Sequence, residues 1–172
     1  IIRLKQFQII NTIFPYIFII TLDFIDEINI SNLLKKTVQM TFKNIGFGSY
    51  RVSNKIEEHY TALRKAITEG IDLIDTSANY ADGESEILIG RVLKDMISEN
   101  VISRDLITLV TKAGYIQGQN YRRAIELKKE GKLYSDTVEL QDKLWHCISP
   151  EFLDDQINRQ LERLGVEHID IY

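Results

Sequence analysis

The feature that most restricts the fold is an alternation. From Met40 onward, short apolar runs take turns with amphipathic helical stretches. Residues 44–50 (NIGFGSY) read as a strand leading into a glycine-broken loop, and residues 71–75 (IDLID) as a compact second strand. Between them Ile56, Tyr60, Leu63 and Ile67 recur at spacings of four, three and four, which makes one apolar stripe on a helix. Ser53 or Asn54 is placed to cap that helix, because a short polar side chain satisfies the free N–H groups of a first turn. Gly70 is placed to end it. Residues 84–97 carry the next stripe through Leu88, Val92, Leu93, Met96 and Ile97. Residues 106–111 (LITLVT) are apolar at nearly every position, as in a strand buried on both faces. Ser149-Pro150 opens a third helix, lined by Phe152, Leu153, Ile157, Leu161 and Leu164 and closed by Gly165. Residues 168–172 (HIDIY) open a fourth strand.

Strand–helix alternation with short connections implies right-handed crossovers and a parallel sheet, an α/β fold. The choice lies between an open doubly wound sheet and a barrel. A Gly-x-Gly-x-x-Gly phosphate loop favours the open sheet, but Gly46-Phe47-Gly48 is followed by Arg51, which leaves that fingerprint incomplete. Polar residues sit instead at the C-terminal ends of successive strands, Asp75 after the second and Lys112 after the third. In a barrel those ends converge on one site, so the expectation is a barrel.

The first 39 residues differ from the rest. They hold eleven isoleucines and neither glycine nor alanine, while all nine glycines follow Met40. Their most apolar stretch, residues 9–22, is broken by Asn11, Thr12 and Pro15 and falls short of the roughly 20 residues a spanning helix needs. No small-residue cleavage site follows it. Residues 1–39 are therefore expected to be a leader of upstream translation or a fusion remnant, with a buried helix or a targeting segment as alternatives. Residues 40–172 are expected to form the domain. A net charge of −4 argues against nucleic-acid or anionic-membrane partners. One cysteine, Cys147, excludes an internal disulfide and a Cys-rich metal site, and three scattered histidines lack ligand spacing. The expectation is a cytoplasmic protein without a metal.

Asp75 and Lys112 end strands that lie side by side, and Tyr80 follows Asp75 by five residues. Adjacent parallel strands are about 4.8 Å apart, so groups at equivalent ends can meet. A lysine beside a phenol favours the phenolate, and an aspartate beside the lysine orients the ammonium. Such a tyrosine can hand a proton to a carbonyl oxygen. Spacing alone leaves open that Asp75 caps a turn, that Tyr80 is a surface aromatic and that Lys112 is merely solvated.

Residues 75–90, DTSANYADGESEILIG, resemble the aldo-keto reductase signature through Asp75, Thr76, Tyr80, Gly83, Ser85, Glu86 and Gly90. Residues 45–52 (IGFGSYRV) are similar to the family's first strand, Val110-Thr111-Lys112 to its lysine-bearing third strand, and residues 151–172 to its third helix and fourth strand. Ala81 departs from the pattern, in which glycine is common after the tyrosine. The resemblance implies the N-terminal half of a (β/α)8 TIM barrel that reduces an aldehyde or ketone, a small-molecule carbonyl substrate, with NADPH or NADH. It implies Tyr80 as proton donor, Lys112 as the group that favours proton release, and Asp75 as the partner of Lys112. Gly48, Ser49, Tyr50 and Asp75 are implied to lie near the cofactor. Ser85 and Glu86 are read as opening a helix, and Gly90 as a place where helices pack closely.

The family's histidine follows an I-D-I-Y-type strand, beyond Tyr172 here. His146 precedes the third helix and is left out of the catalytic set; His59 and His168 read as surface or helix-end residues. Most cofactor-holding groups of the family come from strands five to eight. A full barrel takes about 250 residues. Residues 40–172 number 133 and include an insertion at 113–145, so the chain is expected to be a fragment, inactive alone and broken within strand four. The insertion reads as a solvated helix at about 121–130, or else as a basic lid carrying Arg122, Arg123, Lys128, Lys129 and Lys132 for an anionic substrate. The runner-up function is a non-catalytic regulatory barrel of the channel β-subunit type.

Overall fold

A computed structural model describes residues 45–172; the expected leader at 1–39 lies outside the described residues. Three short parallel strands, β1 (Phe47–Gly48), β2 (Leu73–Asp75) and β3 (Thr108–Val110), form a sheet in the order β1-β2-β3. Gly48 pairs with Asp75 and Asp75 with Val110, so the strand ends lie level. A parallel bridge from Val110 to Ile171 continues the sheet where a fourth strand was expected.

Helices α1 (Glu57–Thr68) and α2 (Glu84–Ser98) make the crossovers, and α4 (Pro150–Leu164) packs on α2. Leu63 and Ile67 of α1, Leu88, Ile89, Val92, Leu93 and Met96 of α2, Ile74, Leu109 and Leu164 build one core between sheet and helices. Helix α1 starts a turn later than its polar residues suggest. Ile56 is its N-cap, without a side-chain capping bond, and the Ser53 hydroxyl accepts the Lys55 N–H within the preceding turn instead. Glu57 and Glu58 in the first turn suit the positive end of the helix dipole. In α4 the expected devices stand where the sequence places them: Ser149 accepts the Phe152 N–H, Pro150 opens the helix and Gly165 closes it at φ 62°.

The insertion is a small layer of its own. Strand β4 (Tyr115–Ile116), helix α3 (Gly118–Lys129) and the antiparallel pair β5 (Val138–Gln141) and β6 (Leu144–His146) form it, in sheet order β4-β6-β5. Ile116, Ala124, Trp145, Cys147 and Phe152 make a second core, with Tyr121 edge-on to Trp145 at 5.1 Å. The helix expected at 121–130 is therefore not merely solvated: it begins three residues earlier and buries Ala124 and Asn120. Four of the five basic residues of the expected lid are paired with carboxylates. Arg122 pairs with Asp82, Arg123 with Asp155, Lys128 with Glu139 and Lys132 with Glu130.

Candidate active site

The level strand ends bring two of the expected residues into contact. Asp75 closes β2, and Lys112 stands two residues past β3. The Lys112 ammonium donates to Asp75 Oδ1 at 2.7 Å and to the Thr76 carbonyl at 2.7 Å. It lies over the ring of Tyr80, 4.9 Å from the centroid, a cation held against a π face. Tyr50 packs edge-on to the same ring at 5.1 Å and an interplanar angle of 87°. Lys112 is 45% exposed and Asp75 23%, so water screens the pair, and its value lies in orientation more than in stability.

These groups border a cavity of about 480 Å³, within the range of ligand sites. Gly48, Tyr50, Asp75, Tyr80 and Lys112 line it on the strand-end side, and Phe47 and Leu73 give it an apolar floor. Tyr80 reaches it from a short kinked turn, Tyr80–Gly83, that joins the loop after β2 to α2. Ala81 and Asp82 in that turn both take left-handed backbone, at φ 49° and 57°. Glycine adopts that conformation without strain, which gives a physical meaning to the alanine that departs from the pattern.

Ser49, expected beside the cofactor, is placed differently. It is fully buried; its hydroxyl donates to the Asp75 carbonyl at 2.8 Å and bonds Ser85 Oγ at 2.7 Å. Its side chain ties the end of β1 to β2 and α2 and does not face the cavity. Ser85 and Glu86 lie in the first turn of α2, as expected of residues that open a helix; Gly83 holds the cap position, and Ser85 bridges Ser49 to Thr76 inside the fold. Among the other histidines, His59 accepts the Ser53 N–H and His168 faces Asp170. His146 sits on β6 of the insertion, edge-on to Tyr115 at 5.4 Å and outside the lining of the cavity. Among the described residues no cluster of three or more His, Cys, Asp or Glu side chains could hold a metal, and no helix is long and apolar enough to cross a membrane.

The sequence reading missed Glu86 as a member of the site's support. It is fully buried and receives Thr111 Oγ1 at 2.8 Å, Gln160 Nε2 at 3.1 Å and Arg163 Nε at 2.7 Å. Gln160 also donates to the carbonyl of Lys112 at 3.2 Å, so α2, α4 and the end of β3 share one polar network directly behind the lysine. The signal was present: residues 86, 89, 90 and 93 fall on one helical face, and a carboxylate on an apolar stripe must find partners.

Comparison with known proteins gives the same direction. A family model described as the aldo/keto reductase family matches residues 44–172. The NADH-specific methylglyoxal reductase of Escherichia coli (strain K12) is 32% identical over 103 residues, which cover 60% of this chain and 26% of that protein. An aldo-keto reductase of Alternaria alternata is 29% identical over 117 residues, covering 63% of this chain and 29% of that protein. Among solved structures, the holo form of an aldo-keto reductase from Bacillus halodurans aligns with a TM-score of 0.52 at 21% identity, over 72% of this chain and 33% of that one, a likeness of fold. The chain thus spans about a quarter to a third of the length of these relatives.

Proposed function

Because the chain belongs to the aldo/keto reductase family, we propose that it supplies the proton-donating wall of a (β/α)8 barrel that reduces an aldehyde or ketone to an alcohol. The observation that carries this reading is the Lys112 ammonium, held by Asp75 and the Thr76 carbonyl and laid against Tyr80. As the Tyr80 hydroxyl gives its proton to the carbonyl oxygen, negative charge develops on the phenol. A fixed ammonium nearby stabilises that charge without having to reorganise. Asp75 and the Thr76 carbonyl hold the ammonium in place beside the ring.

The donor set suits a nicotinamide cofactor. The cavity of about 480 Å³, lined by apolar Phe47 and Leu73 together with the Tyr80 phenol, has room for a ring and a small carbonyl, and Gly48 and Tyr50 border it. NADPH or NADH would supply the hydride; this chain's own residues supply the proton, its orientation and part of the wall. The E. coli relative is named for NADH and methylglyoxal, which makes small oxo-aldehydes the first substrates to try and both cofactors worth testing.

The test is cofactor oxidation by the whole barrel carrying this segment, with methylglyoxal and simple aldehydes as substrates. Carbonyl-dependent oxidation of NADPH or NADH is expected. Cofactor binding with no turnover across the panel would instead favour the regulatory reading. The 172-residue chain by itself is expected to show no turnover, since residues 45–172 build three strands and a bridge of the eight; activity from it alone would overturn that part.

A further inference from the structure

Tyr80 stands on a turn that its own backbone does not favour. Two consecutive non-glycine residues, Ala81 and Asp82, are left-handed, and Gly83 follows at φ 92°. Such conformations persist where the surroundings over-determine them. Here the surroundings are the insertion. The Asp82 carboxylate receives the backbone N–H of Gln119 at 2.6 Å and Arg122 Nη2 at 2.8 Å, and the Gln119 side chain donates to the Asp82 carbonyl at 3.0 Å. On the other flank of Tyr80, Asn79 Nδ2 donates to the Tyr115 carbonyl at 2.9 Å. Both sides of the tyrosine are therefore fastened to residues 115–122.

The clasp also completes α3. Gln117, its N-cap, makes no side-chain capping bond, and Asp82 arrives from elsewhere in the chain to satisfy a first-turn N–H that the helix leaves open. A carboxylate at that end is further favoured by the helix dipole. Gly118 leaves the room this requires, because a Cβ there would collide with the Asp82 carboxylate. The Arg122 contact is exposed on both sides (66% and 46%) and adds less.

We propose that the insertion is the mount of Tyr80 and that Asp82 is its positioning residue, setting where the phenol stands against Lys112. This rests on the reading of Tyr80 as proton donor. The test pairs two readouts: hydrogen exchange of residues 79–84 in the 172-residue chain, and kcat and KM in the whole barrel. Asp82→Ala should speed exchange at residues 80–83 by about tenfold or more. It should lower kcat by about 10- to 100-fold while leaving the cofactor KM within about twofold. Asp82→Asn, which keeps an acceptor for the Gln119 N–H, should recover most of the loss, and Arg122→Ala should cost under about threefold. Gly118→Ala, whose Cβ would fall on the Asp82 oxygen that takes the Gln119 N–H, should reproduce the Asp82→Ala effect. A purely structural Asp82 would lower the melting temperature and leave kcat of the folded enzyme unchanged. Unchanged kcat in Asp82→Ala and Gly118→Ala, with Tyr80→Phe inactive, would overturn the mount and spare the proton-donor reading. Full activity in Tyr80→Phe would remove both.

Discussion

At the scale of single residues, the site depends on one ammonium with its directions of action already assigned. Lys112 spends two hydrogen bonds on Asp75 and the Thr76 carbonyl, and what remains of its field falls on Tyr80. The weak point is next door. Ala81 at φ 49° carries the cost of a left-handed L residue, about 1–2 kcal/mol, whereas glycine there would lose that cost and pay about 0.4–1 kcal/mol in unfolded-state entropy. Ala81→Gly should therefore stabilise the protein by roughly 0.5 kcal/mol, seen as a higher urea midpoint at unchanged slope; a lower midpoint would mean that the turn is not strained. That Asp75, Tyr80 and Lys112 come together was legible because a seven-residue match and the strand ends agreed. The buried roles of Glu86 and Ser49 were not, because the match names Glu86 without its partners on α4, and nothing near Ser49 in the sequence shows that its hydroxyl turns inward to Asp75 and Ser85.

At the scale of elements, what could be read depended on local chemistry. Helix α4 was plain in the sequence because Ser149, Pro150 and Gly165 each act within one turn of where they stand. The start of α1 was misjudged because Ser53 bonds the turn behind it. The insertion's strands left no trace: all four residues of β5 are exposed, which erases the two-residue alternation, and β4 is two residues long. The packing of α2 on α4 is checked at Gly90. A Cβ there would meet the carbonyl oxygens of Arg163 and Leu164 at 2.7 Å each, and backbone cannot step aside as a side chain can. Gly90→Ala should cost about 1–3 kcal/mol, against the small gain expected for alanine in an unhindered helix. A stabilised Gly90→Ala would show that the helices are not in close contact there.

At the scale of the whole molecule, level strand registers bring Gly48, Asp75 and Lys112 to one end of the sheet, and the inserted layer reaches back to hold the tyrosine that completes the group. The barrel was legible as an alternation of strands and helices; the mount was not, since it joins residues about 40 positions apart by contacts with no sequence period. The reading of the protein stands or falls on whether Tyr80 gives the proton. The direct measurement is kcat, with and without Tyr80→Phe, for whichever carbonyl substrate the whole barrel is found to reduce. A loss of about 10²- to 10⁴-fold with cofactor affinity unchanged is the expected result, and a kcat within about twofold of the parent enzyme would contradict it.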